Sequence, residues 1–125
     1  MSGGEALGVA LAGALGALCR HALQRAFPAG EGAPWVTVGI NLSGGFALGL
    51  LTGFALASGR VPVQLRLTLG AGFLGAYTTW STFTVEALGL VERGALGQAL
   101  LYVGAHLVLG FGAAALGLAL GRALA

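Results

Sequence analysis

The chain has no lysine and no aspartate, one cysteine (Cys19) and only three prolines in 125 residues. A lone cysteine excludes an internal disulfide, a redox pair and a zinc motif. Positive charge comes from six arginines against four glutamates, a net of +2, too sparse for a basic stripe that would hold nucleic-acid phosphates. Charged residues make up 8% of the chain, against about a quarter in ordinary soluble domains. No nucleophile, base and orienting group fall together, so an enzyme site is not expected. What fills the chain instead is apolar, 57% hydrophobic with 24 glycines, a balance that points away from water and into a membrane.

Four long apolar stretches approach or exceed the ~20 residues a helix needs to cross the hydrocarbon core. They predict an all-α membrane protein, one transmembrane domain over 1–125, with helices at about 6–27, 35–57, 64–90 and 95–120. The N-terminal Met-Ser-Gly-Gly-Glu lacks the basic region of a secretory signal, so the first stretch is expected to be kept as a spanning helix. Trp35 follows the turn-forming residues 28–34 where an interfacial anchor belongs. Glycine or alanine recurs every four residues at Gly8, Ala12 and Gly16, at Gly45, Gly49 and Gly53, and at Gly117 and Gly121. Such stripes let helix backbones approach closely in lipid. The third stretch is atypical: a glycine-rich half is followed by Thr78, Thr79, Ser81, Thr82 and Thr84, where a plain spanning helix would carry leucine and valine.

Four crossings put Arg60, Arg66 and Arg122 on one side of the membrane and Arg20, Arg25 and Arg93 on the other. The positive-inside rule normally leaves a clear excess on the cytoplasmic side; a balanced chain has no preferred orientation and inserts both ways. Its natural product is an antiparallel homodimer with a two-fold axis in the membrane plane.

Polar groups at membrane depth need partners or water. Thr37 and Asn41, four apart, share a helical face. In the third stretch Thr79, Thr82 and Glu86 fall on one face, with Trp80 and Phe83 beside them; in the fourth, Tyr102, His106 and Gly110 recur at four-residue intervals. Together they describe a narrow passage lined by hydroxyl, amide and aromatic groups. Amide and hydroxyl donors, with the positive edges of aromatic rings, suit a small anion better than a cation. Plain alternatives stand beside each residue. The hydroxyls of Ser43, Ser81 and Thr84 can bond back to the preceding turn, and Asn41 can serve as interhelical glue. Glu86 is solvated if it lies at a helix end and functional if it lies deep. For His106 packing is favoured over a proton site, because no acidic partner is near it in sequence. Trp80 and Phe83 at helical spacing are more often core or lipid-facing.

The segment Gly75-Ala-Tyr-Thr-Thr-Trp-Ser-Thr-Phe83 resembles the signature G-x-x-T-T-F-S-T-F of the Fluc fluoride channels, also called the CrcB family. Asn41-Leu-Ser-Gly44 with Phe46 and Gly49 resembles the family's N-x-x-G-x-F-x-x-G, and Gly16-Ala17 with Arg20 resembles its G-A-x-x-R. The three motifs keep the family's order and cover nearly the whole chain.

The resemblance implies a passive, fluoride-specific channel in the cell (inner) membrane, an antiparallel dual-topology homodimer whose two fluoride paths each borrow residues from both subunits. By motif position Asn41 corresponds to the pore asparagine and Phe83 to the second of two fluoride-contacting phenylalanines; Trp80 stands where the first is usual. Thr37, Glu86 and Tyr102 resemble residues lining the pathway, Thr79, Ser81 and Thr82 belong to its signature, His106 and Gly110 stand where the family often carries serines, and Arg20 resembles a residue of the vestibule; the pathway set is completed by His106. Gly75 and Thr78 match positions whose backbone carbonyls, freed by a break in helix 3, hold a structural sodium ion at the dimer axis. A small drug-proton antiporter can also be a four-helix dual-topology dimer, but it needs a membrane-embedded carboxylate, normally in helix 1, and here helix 1 offers only Glu5 at its edge. A non-conducting assembly subunit would leave Asn41 and the hydroxyl stripe unexplained.

Overall fold

A computed structural model describes residues 1–125, and all of its regular structure is helical. Helix α1 runs Gly3–Ala26. It starts earlier than the apolar pattern alone requires because Ser2 and Glu5 close a capping box: the Ser2 amide donates to the Glu5 carboxylate (2.7 Å) and the Glu5 amide to Ser2 Oγ (3.2 Å), satisfying two end donors reciprocally. Helix α2, Trp35–Ser58, ends at Gly59 with φ +64°, the left-handed cap that glycine adopts without strain. The next helix, α3, covers 63–77. It is α-helical at Val63–Arg66, widens to a π-helix at Leu67–Leu74 and narrows again at Gly75–Tyr77.

Thr78 and Thr79 are extended, with ψ of 161° and 112°. Helix α4, Trp80–Glu92, restarts behind them, its first turn capped by the Thr79 side chain. Helix α5, Leu96–Ala123, contains a second π segment at Ala105–Leu109. Three helices, α1, α2 and α5, are each long and apolar enough to cross a membrane, so the chain is an α-helical membrane protein.

The largest helix pairing joins α2 to the C-terminal half of α5, and glycine makes it possible. A Cβ at Gly49 or Gly53 would overlap the Ala114 or Leu118 carbonyl of α5, and one at Gly117 or Gly121 would overlap the Phe46 or Leu50 carbonyl of α2. The two stripes therefore seat backbone against backbone from both sides, the close approach that drives association in lipid. In the same way α1 lies on α3, with Gly16 against the Phe73 carbonyl and Gly8 against Thr68. A separate apolar cluster of Val38, Phe83, Leu90, Ala99 and Tyr102 ties α4 to α2 and α5. Outward, Leu7, Leu11, Leu15 and Leu18 of α1 are each more than half exposed, as expected of side chains facing hydrocarbon or another subunit rather than a core.

Candidate anion pathway

The site is organised by the interruption between α3 and α4. Asn41, on α2, grips the Thr79 peptide from both ends: Nδ2 donates to the Thr79 carbonyl (3.0 Å), and Oδ1 accepts the Thr79 amide (2.7 Å). In an unbroken helix that amide would return to the carbonyl four residues back, on Gly75. One turn later the Thr82 amide, whose helical acceptor would be the Thr78 carbonyl, goes instead to Thr79 Oγ1 (3.1 Å). These two interceptions withhold the helical donors from two carbonyls, those of Gly75 and Thr78. Between them the Ala76 carbonyl accepts from Nε of Arg20 on α1 (3.1 Å), so the end of α3 receives a cation where its own ladder stops.

Hydroxyl groups surround this interruption. Thr79, 6% exposed, donates from Oγ1 to Thr82 Oγ1 (2.9 Å) and lies 3.5 Å from Ser81 Oγ. Ser43 donates to the Ile40 carbonyl (3.1 Å), so the Tyr77 hydroxyl is the donor in the 3.0 Å pair between Tyr77 and Ser43. Thr84 returns its hydroxyl to the Ser81 carbonyl (2.9 Å) and Thr78 to that of Leu74 (3.0 Å).

A second group lies where α4 meets α5. Phe83 is buried and forms the hub of an aromatic cluster, with Trp80 edge-on at 5.1 Å, Tyr102 tilted at 5.6 Å and His106 stacked at 4.0 Å. Trp35 packs edge-on against Tyr102 at 6.1 Å. Glu86 is not at a helix end. It lies mid-helix and half-buried, and its carboxylate accepts the Tyr102 hydroxyl. Thr37, from α2, is fully buried with its hydroxyl unpartnered.

A groove of about 360 Å³ connects the two groups, lined by Asn41, Gly75, Thr78, Thr79, Trp80 and His106 among others. Trp80, 69% exposed, forms its outer rim. The structure thus gathers Asn41, Thr79, Ser81 and Thr82 at the interruption, and Trp80, Phe83, Glu86, Tyr102 and His106 in the aromatic cluster, while Thr37 is buried on α2. Two participants went unread in the sequence, Tyr77 and Trp35. Tyr77 sits inside the hydroxyl-rich motif, which could have flagged it; for Trp35 the anchor role gave no hint of Tyr102.

Chemically the groove offers donors and ring edges to a solute of limited size. The Asn41 amide has two hydrogens and spends one on Thr79, so one N–H remains available to the groove it lines. No group of three or more His, Cys, Asp or Glu residues is placed to hold a metal ion. Any cation here would be met by backbone carbonyls, a hard-oxygen donor set.

Residues 7–118 match the family described as CrcB-like protein, Camphor Resistance (CrcB). The chain is 48% identical over 114 residues to a protein of Beijerinckia indica subsp. indica, covering 88% of this chain and 90% of that one. It is 42% identical over 118 residues to one of Thermus thermophilus, covering 93% and 94%, and 40% identical over 118 residues to one of Agrobacterium fabrum, covering 93% and 94%. All three relatives bear the name fluoride-specific ion channel FluC.

Proposed function

The chain belongs to the CrcB-like family, and from that membership we propose a passive, fluoride-specific ion channel that lets fluoride leave the cytoplasm and so relieves its toxicity. In the geometry, one observation carries this reading. Asn41 fixes the interruption between α3 and α4 and still has an N–H to spare beside the groove. An anion entering there exchanges water for that amide and for the edge of Trp80. A site lined by donors with no lysine offers passage without a deep electrostatic trap, which conduction requires because the ion must also leave. Fluoride efflux from liposomes holding the purified protein tests the proposal. Fluoride should leave down its gradient while chloride and proton-coupled drugs do not; failure of fluoride efflux would overturn the reading.

The channel is an antiparallel homodimer in the inner membrane. Its fourth crossing is α3 and α4 in series, and its paths are completed by the partner subunit. The arginine balance supports this assembly, as does the exposed leucine row of α1. A C-terminal reporter should appear on both sides of the membrane in comparable amounts. Lysines added after Arg122 should drive most chains to one orientation, with activity falling in step and returning when an oppositely biased copy is co-expressed. A strongly biased chain that stayed fully active alone would defeat the antiparallel arrangement.

Sodium fits the same site as a structural ion. The Gly75 and Thr78 carbonyls, deprived of helical donors by Asn41 and Thr79, are the hard oxygens such a cation takes, and two subunits would supply four. Bound there, sodium would neutralise converging carbonyl dipoles at the subunit interface. Removing sodium should lower dimer stability, read as the temperature at which the assembled species is lost. A sodium gradient should drive no fluoride uphill.

A further inference from the structure

His106 stands in the wide turn Ala105–Leu109 of α5, with its ring held on three sides. It stacks on Phe83 (4.0 Å, 30°), meets Tyr102 edge-on (4.6 Å, 74°), and places Nδ1 3.0 Å from the Tyr102 carbonyl oxygen. A carbonyl only accepts, so Nδ1 carries the hydrogen and donates it. In the neutral ring Nε2 is then left with a lone pair and no hydrogen. Nε2 is buried and has no hydrogen-bond partner, while the ring lines the same groove as Asn41 and Thr79. A neutral His106 therefore has no donor for an anion. With a second proton the same atom becomes one.

A buried cation without a counter-charge is costly. The Phe83 face stacked on the ring, a cation–π partner, offsets part of that cost, and an anion at Nε2 would offset the rest. Proton and anion therefore stabilise each other at this position. We propose that His106 is a specificity-determining residue of the fluoride path that binds the anion only as imidazolium, so that a proton opens the site and its loss closes it. The proton comes from the aqueous phase and returns to it when the anion leaves. This inference rests on the fluoride-channel reading above.

Few other groups could account for such a pH response. Helix α2, packed against the wide turn, carries no titratable side chain between Trp35 and Ser58. Helix α4 brings Glu86, whose carboxylate accepts the Tyr102 hydroxyl, and Glu92 at its far end. Helix α5 itself has Tyr102 and, well beyond the turn, Arg122. Glu86 is thus the one serious rival.

Single-channel or macroscopic current through the purified protein in planar bilayers, with equal fluoride on both sides, tests the proposal between about pH 5 and pH 8. Current is the right readout because neutral hydrogen fluoride leaking through lipid carries none. Wild-type current should fall as pH rises, with a limiting slope of about tenfold per pH unit, as one linked proton requires. His106→Gln, whose amide donor does not titrate, should give a flat profile. A flat wild-type profile would overturn the proposal, as would a slope that survives in His106→Gln and disappears in Glu86→Gln. Should His106→Gln fail to assemble, nitrogen NMR of the wild-type histidine decides: at one fixed pH, adding fluoride, and not chloride, should raise the imidazolium signal, and no change overturns the proposal. No fluoride current at any pH would instead defeat the channel reading itself.

Discussion

Asn41→Asp should reduce fluoride flux by at least tenfold while leaving the protein helical and membrane-inserted. The substitution keeps the shape and the oxygen that accepts the Thr79 amide. It replaces the donor facing the Thr79 carbonyl with a second oxygen, so two acceptors confront each other at a half-buried position. A buried polar group left without its partner costs about 1–3 kcal/mol, and a carboxylate that ionises there adds charge of the sign that repels the permeating ion. Both effects fall on one function, because the peptide that Asn41 grips also sets where α3 ends. Flux from liposomes, measured beside the circular dichroism and assembled size of the variant, separates a blocked path from an unfolded protein. Normal flux in a folded Asn41→Asp would remove Asn41 from the pathway.

Gly117→Val should be equally severe, through stability. A side chain at Gly117 meets the Phe46 carbonyl and the Leu50 amide of α2, and these are backbone atoms that no rotamer change can move. The two helices must separate, which also lifts Gly121, Gly49 and Gly53 out of their seats. Overpacking of ordinary side-chain cores costs about 1–3 kcal/mol; with rigid backbone on the other side the upper end is expected. Gly112 provides the control, because a Cβ there has open space around it. Gly112→Ala should leave the thermal survival of the assembled protein unchanged, whereas Gly117→Val should lose most of it at temperatures the wild type withstands. Similar survival of the two variants would reduce the α2–α5 glycine stripes to coincidence.

Helical class and membrane residence were legible in the sequence because both follow from summed properties: apolar length, scarce charge and small residues every four positions. The glycine stripes were also readable as packing surfaces. Which stripe meets which was not, since the pairing of Gly49 and Gly53 with Ala114 and Leu118 depends on how α2 and α5 are rotated against each other. The site divides in the same manner. A stretch rich in glycine and then in hydroxyls marked 70–84 as unusual, and spacing placed Thr37 and Asn41 on one face. Spacing was silent on what crosses between helices: Asn41 holding the Thr79 peptide, Tyr102 bonded to Glu86, Phe83 stacked on His106. Those contacts join residues many positions apart and are fixed by helix rotation and by the two π segments, which interrupt the 3.6-residue period on which face assignments rest.

The π segment Ala105–Leu109 acts on α5 as a change of phase. Before it, Tyr102 aims at the aromatic cluster; after it, Gly117 and Gly121 aim at the backbone of α2. A regular α-helix advances about 100° per residue, so one residue more or fewer between these two faces would swing one of them by more than a quarter turn. The wide turn is thus the angular setting between the part of α5 that carries Tyr102 into the aromatic cluster and the part that anchors the helix on α2. Shortening that turn by a single residue would leave the composition of both faces intact and still uncouple them.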